Sequence, residues 1–172
     1  MKARSGWVIA AAIGTLGLGT LGTAGVAFRE PIVEAYERWR SDCDLGLRRE
    51  GGRVWLTLRN KSDRELRIFQ FWNSWGYWTV SFRVRDRATG RVGVLARKRG
   101  VSFTRNFPAY FTIPARGQFE KEIDLRDKSW VLPDWLDLDK GSYLLQAQLT
   151  IEDSAEARQH GVFVGHLASG WK

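Results

Sequence analysis

Val54-Trp55-Leu56-Thr57-Leu58-Arg59-Asn60 alternates apolar and other residues with a period of two. Val54, Leu56 and Leu58 fall on one face and Trp55, Thr57 and Arg59 on the other, the pattern of a strand with one buried side. Asn60-Lys61-Ser62-Asp63 closes it with turn residues. Upstream, Leu45 and Leu47 keep the same period and Glu50-Gly51-Gly52 supplies a turn, so the two segments read as neighbouring strands.

The period of two persists downstream. Leu66–Phe71, Tyr77–Arg85, Arg91–Ala96, Tyr110–Ile113, Phe119–Leu125, Ser142–Ile151 and Val162–Leu167 read as further strands. Turn signals separate them, among them Ala88-Thr89-Gly90 and Pro114-Ala115-Arg116-Gly117, and no helical repeat intervenes. Many short strands with regular turns predict a mainly β domain, an antiparallel β-sandwich over residues 44–172.

Leu138-Asp139-Lys140-Gly141-Ser142-Tyr143-Leu144-Leu145-Gln146-Ala147 resembles the Asp-x-Gly-x-Tyr-x-hydrophobic stretch of immunoglobulin-like domains. Val54–Asn60 with the Lys61–Leu66 turn resembles an early strand of bacterial immunoglobulin-like and fibronectin-III-like modules. The resemblance implies an immunoglobulin-like sandwich in which Tyr143 begins a late strand and ties its hydroxyl back to upstream backbone. Leu145 would then stand where antibody domains carry a cysteine. A fold of this kind implies no particular activity.

Ahead of the β region lies Gly6–Phe28, GWVIAAAIGTLGLGTLGTAGVAF, which has no charged residue and follows Met1-Lys2-Ala3-Arg4-Ser5. As a helix it would extend roughly 34 Å, against a hydrocarbon core of about 30 Å. Two readings compete. A retained anchor has the required length, and pairs such as Ala10/Gly14, Thr15/Gly19 and Gly19/Thr23 have the small-xxx-small spacing that lets membrane helices approach closely. A cleaved export signal would use the small residues of Gly22-Thr23-Ala24 or Gly25-Val26-Ala27. Arg29, Arg38 and Arg40 oppose Lys2 and Arg4, so loop charge alone does not orient the segment. The short basic tail before a signal-like run predicts an inner-membrane, single-pass protein with its C-terminal domain in the periplasm.

Residues 29–43 form the junction. Pro31 suits a first helical turn, and Ile32, Ala35, Tyr36 and Trp39 make one apolar stripe of an amphipathic juxtamembrane helix. Tyr36 and Trp39 would face a membrane surface or a partner, or the stripe would cap the domain's own core.

The 172 residues carry a formal net charge of +8, with nine Trp and nine Phe. Lys2 and Arg4 supply two of those charges, so the β region is itself basic. Charge with aromatics permits anionic lipid headgroups, an acidic protein or nucleic acid; a membrane segment in front disfavours nucleic acid.

Phe71-Trp72-Asn73-Ser74-Trp75-Gly76-Tyr77-Trp78 predicts an aromatic loop. Trp72, Trp75 and Trp78 could stack on sugars, enter a headgroup layer or anchor a protein, or Phe71, Tyr77 and Trp78 could belong to strands and be partly core. Sugar binding also needs carboxylates or amides, and only Asn73 is local. Arg83, Arg85 and Arg87 share the outward face of one strand. With Arg91, Arg97, Lys98 and Arg99 they form a basic face for anionic lipid or an acidic partner, or a solvated guard on an edge strand.

Reaction chemistry is missing from the pattern. Cys43 is the only cysteine, which excludes an internal disulfide and leaves a buried apolar role, an intermolecular bridge or an unused thiol. His160 and His166, on one extended strand, would lie roughly 20 Å apart, too far to share a metal. Asp137-x-Asp139-x-Gly141 lacks the later acidic ligand of a calcium loop and reads as a plain turn. Asn60-Lys61-Ser62 matches a glycosylation sequon by a three-residue coincidence on a turn. The expectation is a non-catalytic protein with no cofactor or metal, an accessory subunit docking with membrane protein partners in a hetero-complex such as a respiratory or photosynthetic assembly. The alternative is an exported carbohydrate- or cell-envelope-binding module with its signal peptide removed.

Overall fold

The structure, a computed structural model, describes residues 42–50, 53–103, 107–140 and 142–172. Gly14, Gly19 and the whole 6–28 segment lie outside the described residues, as do Tyr36, Trp39 and the juxtamembrane stripe. No helix among the described residues is long and apolar enough to cross a membrane.

In chain order the described elements are β1 (Cys43–Glu50), β2 (Arg53–Asn60), β3 (Leu66–Phe69), β4 (Val80–Asp86), β5 (Val92–Arg97), β6 (Tyr110–Ile113), β7 (Gln118–Ile123), β8 (Trp130–Val131), β9 (Tyr143–Ile151), α1 (Ala155–Gln159) and β10 (Gly165–Ala168). Three sheets result, with orders β1-β2-β7, β10-β9-β4-β5-β8 and β3-β6. Every pairing between named strands is antiparallel.

The period of two explains the core. Leu45 and Leu47 of β1 and Val54, Leu56 and Leu58 of β2 turn inward from the three-stranded sheet. They join Phe82 and Val84 of β4 and Leu145, Ala147 and Leu149 of β9 in one buried cluster. Burying such a side chain contributes about 1.5–3 kcal/mol, well above an exposed ion pair, so these residues hold the sheets together. The arrangement is mainly antiparallel β, consistent with a β-sandwich.

Two local features fix the late strands. The Tyr143 hydroxyl donates to the Leu138 carbonyl at 3.3 Å. Beyond β10, Ser169 N–H donates to the Ala147 carbonyl at 2.9 Å, and Lys172 and Leu145 exchange backbone bonds at 2.8 Å. The chain end thus continues along β9.

Several expectations need correction. Tyr77–Thr79 belong to a turn, because Tyr77 N–H bonds the Asn73 carbonyl at 2.8 Å, and β4 begins only at Val80. The last strand is Gly165–Ala168, and Val162 makes only an isolated bridge to Arg67. The helix α1 was not expected; Ser154 caps it by accepting the Ala157 N–H. Nor is the arginine-bearing β4 an edge strand, since β9 and β5 flank it.

Candidate functional site

The outer face of the five-stranded sheet carries the side chains that alternate with the core. Register places Arg83 between Gln146 and Val94, and Arg85 between Leu144 and Val92. The guanidiniums of Arg83 and Arg85 lie 5.6 Å and 4.6 Å from the Trp171 ring centroid, which the continuation along β9 brings onto this face. Gln146, buried beneath, donates to the Ser169 carbonyl at 3.0 Å and fixes that continuation. Arg87 follows β4, exposed.

Beside these cations the face is apolar. Val92, Val94 and Val131 are exposed, Val94 at 53%. On the inner side of β5, Pro133 and Trp135 occupy the space over Gly93, where a Cβ would meet Pro133 Cγ at 2.6 Å. The valines of this strand therefore point outward. The hairpin joining β4 to β5 is held by Asp86, whose carboxylate accepts the Ala88 and Thr89 N–H groups at 2.8 Å. Those bonds, that from Thr89 first, keep its carboxyl below the usual range.

Arg97, expected on this basic face, turns inward instead. It has the parity of buried Leu95, and its guanidinium sits 4.0 Å from the Trp130 ring and 5.2 Å from that of Tyr77. Burial lowers its pKa, and it contacts Ser129 Oγ. Arg91 stacks near Trp135, at 5.5 Å.

The aromatic loop splits its tryptophans. Asn73 organises it, its Oδ1 accepting Trp75 N–H at 3.1 Å and Gly76 N–H at 3.0 Å while its Nδ2 donates to the Ala109 carbonyl at 3.1 Å. That amide is engaged within the fold. Trp72 goes toward β6 and β7, edge-on to Phe111 at 5.1 Å with Lys121 Nζ 5.1 Å above its ring. Trp75 packs half-buried on the core. Trp78 is 48% exposed, edge-on to Tyr77 and Phe103, and its indole N–H reaches the Lys98 carbonyl at 3.3 Å.

Trp75 and Trp78 line a cleft of about 510 Å³ at this end of the molecule. Its other wall is Thr150, Glu152, Ser154 and Glu156, at the end of β9 and the start of α1. Thr150 Oγ1 lies 2.8 Å from His166 Nδ1. Thr150, Glu152, Ser154 and Glu156 were not singled out in the sequence, nor were Trp171 and the outward valines.

The remaining candidates are accounted for locally. His160 ends α1 beside the Tyr110 ring, while His166 stands on β10. Asp137 pairs with Lys140 and Asp139 with Arg126. Asn60 is buried, its amide donating to the Arg64, Ile113 and Pro114 carbonyls, so the sequon side chain is enclosed. The Cys43 thiol is buried, and burial, then the Asp44 charge, pushes it up to about 12. No cluster of metal-ligating side chains occurs among the described residues. No family model, curated protein or solved structure matches this chain.

Proposed function

We propose that this is a non-catalytic docking protein with an immunoglobulin-like domain, which binds an acidic protein surface through the outer face of its five-stranded sheet. The carrying observation is that face: Val92, Val94 and Val131 exposed beside Arg83 and Arg85, which lie over Trp171. Apolar area supplies binding energy, while arginines aligned on a rigid strand select a complementary charge and steer its approach. The chain's net charge of +8 favours an acidic partner over a basic one.

Strand order supports the immunoglobulin-like reading. The orders β1-β2-β7 and β10-β9-β4-β5 correspond to strands A-B-E facing G-F-C-C′, and the Tyr143–Leu138 bond suits a tyrosine corner. We extend the proposal to the chain as a whole. Residues 6–28 anchor it in the inner membrane with the domain in the periplasm, and it serves as an accessory subunit of a larger membrane complex. Gly14 and Gly19 let a partner helix approach, while Tyr36 and Trp39 sit at the membrane surface.

Extraction of the full chain in mild detergent, followed by sizing, tests this reading. Co-elution with acidic membrane proteins in a defined assembly is expected. A clean monomer with no co-purifying membrane protein contradicts it.

A further inference from the structure

From the cleft between the aromatic loop and α1 we infer a second binding site, one that takes a neutral saccharide. It is separate from the proposed docking face, and either can fail without the other.

The cleft combines two surfaces that a sugar needs together. One wall is indole. Trp78 is 48% exposed, and its N–H is tied to the Lys98 carbonyl at 3.3 Å, so the ring is held in place without ligand. Trp75 adds a half-buried second indole, set by the Asn73 bond to its backbone N–H. The C–H face of a pyranose packs against such rings, and a ring already fixed loses little entropy on binding.

The opposite wall is polar. Glu152 and Glu156 are exposed on it, and among the described residues neither forms an ion pair, although the chain has 27 lysines and arginines. A carboxylate accepts two hydroxyl hydrogens at once, matching vicinal hydroxyls on a sugar ring. Thr79, Thr150 and Ser154 line the same opening, but their hydroxyls bond within the fold, to the Gly76 carbonyl, His166 Nδ1 and the Ala157 N–H, so the two carboxylates are the polar groups left for a ligand. A cleft of about 510 Å³ falls within the usual range for small-ligand sites.

The walls come from distant parts of the chain but are joined by the sheet. Thr150 N–H donates to the Thr79 carbonyl at 2.8 Å, which ties the end of β9 to the residue before β4. On the indole side, Gly76 permits the fold of the loop, since a Cβ there would meet the Gln70 carbonyl oxygen at 2.1 Å. The site is therefore built into the frame.

A neutral sugar fits better than an anionic one, which the two carboxylates would repel. A quaternary ammonium could also sit between indoles and carboxylates, but its methylated head brings no hydrogen-bond donor for those carboxylates to accept. The test must separate these two ligands.

The experiment titrates the full chain, in a sugar-free polyoxyethylene detergent, with the cello-, xylo-, manno- and N-acetylchito-hexasaccharides and separately with choline. Tryptophan fluorescence and calorimetry are the readouts. At least one hexasaccharide should saturate, with Trp78→Ala weakening it at least about tenfold and Trp78→Phe recovering part of the loss. Glu152→Gln and Glu156→Gln should each weaken it by a smaller factor, and Trp72→Ala should leave it unchanged. Three results overturn the proposal: no saturation by any hexasaccharide up to about 10 mM, equal binding by Trp78→Ala, or saturation by choline alone.

Discussion

The two larger sheets present very different outer faces. On the three-stranded sheet, cations meet carboxylates: Arg48 pairs with Glu50 and Glu120, Arg53 with Glu122, and Lys61 with Asp44. Thr57 also donates to Glu120, at 3.2 Å. On the five-stranded sheet Arg83 and Arg85 lie over Trp171 beside exposed Val92, Val94 and Val131, while Ser81, Gln148, Thr150 and His166 occupy the β9–β10 side of the face. Each exposed pair on the first face is worth little, yet together they leave it polar and balanced in charge. The β4–β5–β8 part of the second face instead sets arginines beside exposed valines. One domain thus carries a face suited to water beside a face suited to a partner, and β-periodicity alone does not separate them.

The most severe way to break this comparison is to remove what both faces share. Phe82 is fully buried, with its ring 5.4 Å from that of Trp130. Phe82→Ala should cost about 4 kcal/mol, measured by chemical denaturation, and should abolish any partner binding with it. A loss below about 1 kcal/mol would mean that the two sheets do not share one core.

A smaller perturbation should reach only the loop end. Gly76→Ala drives a Cβ into the Gln70 backbone, and we expect a loss of about 2–3 kcal/mol. Both sheet faces should keep their behaviour while the cleft is lost. Amide hydrogen exchange localised to residues 70–79 would check this, and loss of protection throughout β2 would contradict it.

The core also predicts an alkaline weakness. The Cys43 thiol rises from about 9 to about 12 on folding, so the folded state holds its proton more tightly than the unfolded one. Its stabilising contribution is complete below pH 9 and is lost as pH rises toward 12. The denaturation midpoint should fall over that window more steeply in the wild type than in Cys43→Ala. Iodoacetamide at pH 8 should label Cys43 only after denaturant is added. Prompt labelling of the folded chain would place the thiol at the surface.

The mildest change trims one hydrogen bond. Tyr143→Phe removes the bond to the Leu138 carbonyl and should cost about 1 kcal/mol with neither face altered. An unchanged denaturation midpoint would show that the bond does not hold the 138–143 corner.

Much of the sheet was readable because a strand with one buried side writes its period locally. Val54, Leu56 and Leu58 announced β2, and the parity of Arg83 and Arg85 announced an outward arginine row. Strand order is written nowhere locally, so an edge position for that row could not be separated from the central place it has. Val92-Gly93-Val94-Leu95 shows a strand but hides which side faces water, because both sides are apolar. Arg97 reads as surface charge until the Trp130 ring, far along the chain, is placed beneath it. The two-residue β8 is too short to show any period. Ser154 before Ala-Glu-Ala-Arg is a cap followed by helix formers, and that is the local signal of α1. The cleft was hidden for a topological reason: Trp75 and Glu152 meet only once β4 and β9 pair.

The central claim, that the five-stranded face is the one that docks, is most directly tested by charge-matched variants of the two faces. Arg83→Glu with Arg85→Glu alters one face, and Arg48→Glu with Arg53→Glu makes the same net change on the other. Each full-length protein is extracted in mild detergent and its membrane partners are quantified beside the wild type. The account predicts that the Arg83/Arg85 pair loses its partners while the Arg48/Arg53 pair retains them, both proteins remaining folded. Retention by the Arg83/Arg85 pair, or equal loss from both, would contradict it.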